Sequence, residues 1–427
     1  MGKVKDVLKK AHINELYWGI MTKPPMSVVR HEGHQVVKDA LLNHFLPQAY
    51  NSRRNLPVNE RKVVFVETRV SSLSDSFALL YQELTEKYRF IVHVHYLREI
   101  SVSKPEYLRN CRRMLMDIAT AKYVFLNDAS NVVSCIDKRP ETIITQLWHA
   151  CGAFKRFGLS TAEHLFGLDE KDTRRHPFYE NLNYVTVSSP EVIWAYAEAM
   201  DLKGREETIV PTGVSRTDVF YRKEYLEKAY EHLYEVFPAA KGKKIILFAP
   251  TFRGRVAVAE TATAFDPEVF YRDLGDDYVV VTKHHPYVKK LPKLPEHLKD
   301  TFIYDATNTL SIEDLLCVSD ICISDYSSLI YEYSLFDRPM LFFAYDLEDY
   351  FDWRGFYYDY DELTPGPICR TNEELTDYIL HVEERFDPEQ VRAFRERFMS
   401  ACDGHATERI MDLVFGKETL ARMRKRG

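Results

Sequence analysis

From residue 61 onward the chain alternates short apolar runs of strand length with longer stretches whose apolar residues recur at helical spacing. The first set of runs is RKVVFVETR, YRFIVHVHYL, AKYVFLND, TIITQLWHA, NYVTVSS and ETIVPTG. Helical patterns such as SFALLYQELTEKY and EVIWAYAEAMDL separate them. After a helical segment, FYRKEYLEKAYEHLYEVF, the rhythm restarts with KKIILFAPTF, DYVVVTKHHP, TFIYDA, SDICISDYSS and RPMLFFAYD. Strands alternating with helices predict parallel sheets covered on both faces. The fold class expected is therefore α/β, with two doubly wound domains facing each other across a cleft. The expected division is an N-terminal helical and basic segment over 1–60, a first Rossmann-like domain over 61–222 and a second over 223–427. The second includes the C-terminal stretch from Pro388, which reads as two helices and a basic tail.

Residues 1–60 carry no strand pattern. Val4, Val7, Leu8, Ala11 and Ile13 fall near helical spacing among Lys3, Lys5, Lys9 and Lys10, a short basic amphipathic helix suited to an anionic membrane or to packing on its own protein. No run of about eighteen apolar residues occurs, so no membrane span is expected. The N-terminus lacks the apolar core of a secretory signal. Seven unpatterned Cys read as reduced thiols, which points to the cytoplasm. Net charge is −7, unevenly spread: residues 1–150 hold 22 Lys and Arg against 15 Asp and Glu. A basic first part on an acidic protein suits a phosphate-bearing partner on one face, or is ordinary solvated surface. The basic pairs Arg53-Arg54, Arg112-Arg113 and Arg174-Arg175, with the tail from Arg422 to Arg426, are candidates for such a face. No nucleic-acid module is recognisable, and nucleic acid is not expected as a partner.

In open α/β sheets ligands bind beyond the carboxyl ends of strands, and four unusual stretches sit there. His149 follows the TIITQLW strand, and small residues after it, Gly152 especially, leave room for close approach. A neutral imidazole there is placed to take a proton from an attacking hydroxyl. His284-His285 ends the VVVT strand before Pro286. Side chains of adjacent strand residues diverge, so only one of the two is expected to face the cleft, with Lys283 near by. Arg253, in APTFRG with Thr251, has forked donors that suit a phosphate. Ser327 and Ser328, after Asp325, begin a helix and offer hydroxyls and free N–H groups to an anion; Glu332 on that helix suits ribose hydroxyls. Taken singly, each also reads as a core histidine, a surface arginine or plain N-capping. Neither GxGxxG nor GxxxxGK[ST] is present, against nicotinamide and P-loop chemistry.

Together QLWHACGAFKRFG, TGVSRTDVF, ILFAPTFRG, KHHP, SDICISDYSSLIYEYSLFDRPMLFF, YDLEDYFDWRGFYYDY and PGPICRTNEEL, over residues 140–380, resemble the CDP-glycerol glycerophosphotransferase family of teichoic acid primases and polymerases. The resemblance implies a glycosyltransferase-B-like architecture and transfer of an alditol phosphate, foremost glycerol phosphate, from a CDP-alditol to a hydroxyl of a lipid-linked acceptor, with release of CMP. It implies catalytic roles for His149 and His285. Thr251, Arg253, Lys283, Pro286, Thr307, Asp325, Ser327, Ser328 and Glu332 fall on the donor side. Gly152, Lys155 and Arg156 fall on the acceptor side, with Phe154 expected against lipid. The implied partners are CDP-glycerol or CDP-ribitol, an undecaprenyl-pyrophosphate-linked acceptor and the inner, anionic face of the cell membrane; a homo-oligomer is also allowed for. No cofactor is required, although Mg²⁺ with the donor is compatible. Where many members read WHGTPLKK this chain has Ala150-Cys151-Gly152-Ala153-Phe154-Lys155, so the acceptor-side loop is its own. The alternatives are a ribitolphosphotransferase, a nucleotide-sugar glycosyltransferase of the same fold and a non-catalytic nucleotide-binding membrane scaffold.

Overall fold

A computed structural model describes residues 35–162, 170–254, 259–348, 350 and 355–425. The basic amphipathic helix expected around residues 4–13, and Arg426, lie outside the described residues. The first sheet contains β1 (Asn59–Glu67), β2 (Ile91–Tyr96), β3 (Ala121–Leu126), β4 (Ile143–Gln146), β5 (Tyr184–Thr186) and β6 (Ile209–Val210). All its pairings are parallel, in the order β2-β1-β3-β4-β5-β6. Period-two alternation sorts β1 onto two cores. Val63 and Phe65 pack with Phe77, Leu80 and Leu84 of α1 (Asp75–Lys87). Val64 and Val66 pack with Cys111, Met114, Leu115 and Ile118 of α2 (Lys104–Ile118), the i, i+3, i+4, i+7 stripe of a helix laid on a sheet.

The second sheet contains β7 (Lys244–Phe248), β8 (Tyr278–Thr282), β9 (Ile303–Asp305), β10 (Ile321–Ser324), β11 (Met340–Phe343) and β12 (Ile368–Cys369), ordered β12-β11-β10-β7-β8-β9 and again parallel. This is the doubly wound order, and the strand sequence reverses direction between β7 and β10. Helix α3 (Lys223–Val236) leads into this sheet; α4 (Ile312–Val318) precedes β10 and α5 (Leu329–Tyr333) follows it. Ile245, Leu247, Val279 and Val281 belong to one apolar cluster with Trp148, Phe154, Val185 and Tyr196 of the first half, so a continuous core joins the two sheets. The architecture is two-domain α/β, glycosyltransferase-B-like, as the strand pattern and the resemblance imply. The two-residue β12 has no counterpart among the apolar runs, being too short for a period to register.

The C-terminal stretch departs from the expected grouping with residues 223–427. It forms three helices, Pro388–Phe398, α6 (Ala406–Phe415) and α7 (Lys417–Met423). Ile410, Met411, Val414, Phe415, Leu420 and Met423 pack on the first sheet's α1 face. The physical reason is that Val63, Phe65, Tyr123 and Phe125 on that face need more apolar cover than α1 alone supplies. Phe415 sits 4.7 Å from the ring of Phe90 and 4.4 Å from that of Tyr123. Asp218 of the first half caps α6, its two carboxylate oxygens accepting from the Ala406 and Thr407 N–H groups at 3.0 and 2.7 Å. The chain thus crosses between the two halves twice. Phe415→Ala is expected to destabilise the first half by about 3–5 kcal/mol, read as a lowered midpoint in chemical unfolding; an unchanged midpoint would contradict this packing.

Candidate active site

The carboxyl ends of β4, β7, β8 and β10 converge on one cavity of about 440 Å³, lined from both halves. On the first half the chain leaves β4 through Leu147 and turns sharply at Trp148, whose φ is +61°, a left-handed conformation that is costly for a tryptophan. The turn is held by hydrogen bonds: Gln146 Nε2 donates to the Asp128 carbonyl at 2.9 Å, and the Trp148 N–H donates to Gln146 Oε1 at 3.1 Å. This delivers His149 to the cavity with its ring stacked 4.3 Å from Trp148. His149 Nδ1 lies 2.9 Å from the Asn127 carbonyl oxygen. A carbonyl only accepts, so Nδ1 carries the proton and Nε2 of the neutral ring keeps its lone pair.

Packing of the cleft walls pushes the His149 pKa down; the Asp128 carboxylate and the Asn127 carbonyl oppose this, and Arg216 and Arg69 reinforce it. The residue as a whole is exposed, and solvent there tempers the depression. Neutral His149 therefore prevails down to a pH below the ordinary histidine value of about 6.5. If neutral His149 is the working form, kcat/KM falls as pH drops, with its acid half-point below about 6.5. A pH–rate profile checks this, and a half-point above 7 would contradict it.

Gly152 has φ +61°, and a Cβ there would lie 2.3 Å from the ring of Tyr331 on α5 of the second half, so the room expected there for an acceptor is taken by a buried ring of the protein itself. Its N–H donates to Ser188 Oγ at 3.0 Å and its carbonyl accepts from Tyr196 OH at 3.2 Å. The two histidines after β8 behave differently. His284 is 3% exposed, its Nδ1 2.7 Å from Thr261 Oγ1. His285 is half-buried and its Nδ1 accepts from the Tyr287 N–H at 3.2 Å, which leaves Nε2 of the neutral ring as a donor. The cavity therefore holds two imidazoles in opposite tautomers. The Thr251 hydroxyl, on the lining where β7 and β10 diverge, is buried and has no partner among the described residues. An orphaned hydroxyl at a topological switch point is a candidate ligand contact.

A sequence profile of the CDP-glycerol:poly(glycerophosphate) glycerophosphotransferase family matches residues 48–416. The chain belongs to this family. It is accordingly a CDP-alditol-dependent alditol-phosphate transferase of teichoic acid synthesis. The chain is 36% identical over 363 residues to the teichoic acid ribitol-phosphate primase of Bacillus spizizenii strain W23, covering 84% of this chain and 92% of the relative. It is 30% identical over 316 residues to the teichoic acid glycerol-phosphate primase of the same organism, covering 74% and 79%. The solved wall teichoic acid polymerase TagF superposes with a TM-score of 0.70 at 23% identity over 92% of this chain and 98% of that one, a likeness of fold.

Within this family member, His149, Gly152, Lys155, Thr251, Lys283, His285, Pro286, Ser327, Ser328 and Glu332 all line the cavity. Four expected residues do not appear on the lining. Arg253 is bound by carboxylates instead: Nη1 lies 2.8 Å from Asp325 and Nε 2.6 Å from Asp346. Asp325 is 2% exposed and also accepts the Thr251 and Tyr326 N–H groups, so the pair braces the switch point. Thr307 Oγ1 accepts the His284 N–H at 3.0 Å and acts as a support. Arg156 pairs with Glu198 at 3.0 Å and donates to the Phe356 carbonyl.

Other expectations change in detail. The Lys283 ammonium donates to the Ala306, Thr307 and Leu310 carbonyls, so its place is structural although its stem reaches the lining. Phe154 is 2% exposed, edge-on to Tyr331, Phe356 and Tyr360 in the core between the halves, and is not presented to lipid. Helix α5 has only five residues, and Ser328 makes no side-chain cap. So short a run sums few peptide dipoles, and the serine hydroxyls matter more than the helix end. Arg216, between β6 and α3, lines the cavity in a buried ion pair with Glu332. Its motif, TGVSRTDVF, was visible, but nothing in it singled out the arginine. Among the described residues no group of three or more His, Cys, Asp or Glu side chains is placed to hold a metal ion, and no helix is long and apolar enough to cross a membrane.

Proposed function

We propose that this transferase uses CDP-ribitol, delivering ribitol phosphate to a hydroxyl of a lipid-linked acceptor at the inner membrane face. The donor reading is supported by the ribitol-phosphate primase being the nearer of two relatives from one organism, 36% against 30% identical. Glycerol phosphate is the second reading, and the same assay separates them. The mechanistic reading is carried by one observation: His149 and His285 present opposite tautomers to a shared cavity.

In this mechanism the acceptor hydroxyl attacks the phosphorus that bears the alditol, and the bond from that phosphorus to the CMP oxygen breaks. His149 Nε2 takes the hydroxyl proton, with Nδ1–H held by Asn127 so that the ring stays aimed as it becomes cationic. His285 Nε2–H and the Thr251, Ser327 and Ser328 hydroxyls hydrogen-bond phosphate oxygens. CMP is already a good leaving group, so positioning and charge stabilisation matter more than acid catalysis. The acceptor enters past Lys155. A Mg²⁺ ion carried on the pyrophosphate would arrive as part of the substrate. Basic residues of the first 150 assist attraction to an anionic membrane, at about 1 kcal/mol each near the surface.

The test is CMP release from CDP-ribitol and from CDP-glycerol with a lipid-linked glycerophosphate acceptor. Release from CDP-ribitol alone supports the proposal. Release from CDP-glycerol alone moves the assignment to glycerol. Consumption of a UDP-sugar, with neither CDP-alditol turned over, would overturn both readings.

A further inference from the structure

With Arg253 held by two carboxylates and the Lys283 ammonium held by three carbonyls, the cleft needs another fixed cation to meet a pyrophosphate. Arg216 is the only arginine among the described residues that line the cavity. It lies in Ser215–Tyr221, the short 3-10 helix that follows β6, and so projects from the half that also supplies His149. Its Nη2 bonds Glu332 of α5 in the opposite half, with side-chain exposures of 17% and 5%. Its Nε is buried and meets no hydrogen-bond acceptor among the described residues. An unmade bond from a buried charged donor is costly, and a guanidinium presents its Nε and one terminal nitrogen as a fork matched to two oxygens of one phosphate. Glu332 accepts from Nη2, the terminal nitrogen of that fork, and so fixes its plane, while Nε is left unmet. Ser327 and Ser328 line the same cavity.

We propose that Arg216 is a catalytic residue that donates from its Nε edge to the non-bridging oxygens of the phosphoryl group being transferred. This inference rests on the CDP-alditol reading above. Glu332 acts as a positioning residue that holds the guanidinium, in place of the ribose contact that its helix position suggests. Arg216 and His149 share one side of the cleft, and the base must lie beside the attacking hydroxyl. The phosphate nearest to both is therefore the one under attack, and the phosphate retained in CMP lies farther toward the second half. Negative charge on the equatorial oxygens is met by donors already in place, the arrangement that gives electrostatic stabilisation its largest effect.

The experiment compares wild type with Arg216→Lys and Arg216→Gln, measuring kcat and KM for CMP release from the CDP-alditol and, separately, the Kd of CMP. Arg216→Lys keeps the charge and the ion pair with Glu332 but removes the fork. Its kcat is expected to fall about 10²-fold or more, with CMP affinity unchanged. Added guanidinium is expected to restore part of the activity of Arg216→Gln, which a purely structural arginine would not permit. Near-normal kcat in Arg216→Lys would overturn the proposal. So would a loss of CMP affinity equal to the loss in kcat, which would put the arginine on the retained phosphate. If wild type releases no CMP from either CDP-alditol, the functional reading itself fails and this inference falls with it.

Discussion

His149→Ala is expected to lower kcat for CMP release by about 10²–10⁴-fold, the range for loss of a positioned general base, with little change in donor affinity. The argument is one of geometry before pKa. The Asn127 carbonyl fixes the tautomer, the Trp148 turn aims the ring, and the depressed pKa keeps Nε2 unprotonated at neutral pH. His149→Gln is the more demanding variant. Its amide nitrogen can still donate to the Asn127 carbonyl, but it has no basic lone pair, so it should retain the fold and the donor-binding constant while remaining slow. Retention of most wild-type kcat in His149→Gln would remove the base assignment and leave positioning as the residue's contribution. The acid limb of the pH–rate profile should also disappear from whatever residual rate the variant shows.

The second large effect is on stability. Gly152→Ala is expected to destabilise the protein by about 2–5 kcal/mol, combining the 1–2 kcal/mol cost of a left-handed alanine with overpacking of 1–3 kcal/mol. The added Cβ would lie 2.3 Å from the Tyr331 ring. That ring is fully buried, stacked 5.2 Å from Phe394 and edge-on at 5.5 Å to Phe398, so it has nowhere to move. A double-mutant cycle with Tyr331→Ala separates the two contributions. The double variant should be less unstable than the two single losses added together, because truncating the ring makes room for the new methyl. Simple additivity would show that the ring is not the obstacle and that the cost lies in the backbone alone.

The legible part of the sequence was the part governed by short-range periodicity. Eleven apolar runs marked eleven strands, and the strand ends located the cavity, because position beyond a carboxyl end follows from the fold class. What was not legible depended on contacts between residues far apart in the chain. APTFRG and TGVSRTDVF both offer an arginine near a strand end. Only the placement of Asp325 and Asp346 about Arg253, and of Glu332 about Arg216, decides which faces the cleft. The destination of α6 and α7 was hidden for the same reason: an amphipathic helix declares that it has an apolar face, but not which sheet will cover it. Phe154 shows the converse. An aromatic next to Lys155 and Arg156 suits a membrane by composition, yet the ring turns inward because Tyr331, Phe356 and Tyr360 make a pocket for it.

The return of the chain to the first sheet bears on how the enzyme can move. Two bodies joined by a single linker can swivel about many axes. Joined by two, they retain easy rotation only about the line through both linkers. Here one crossing lies between β6 and α3 and the other between Phe398 and α6, and Asp218 ties the two together by holding the start of α6. The Ser188 hydroxyl adds a further tie by donating to the Phe398 carbonyl at 2.7 Å. With both linkers fastened side by side, substrate entry would be a jaw-like opening about one short axis, and twisting or sliding of one half on the other would be suppressed. In that geometry the Arg216–Glu332 pair, which joins the halves across the cavity, would part as the jaw opens and re-form as it closes.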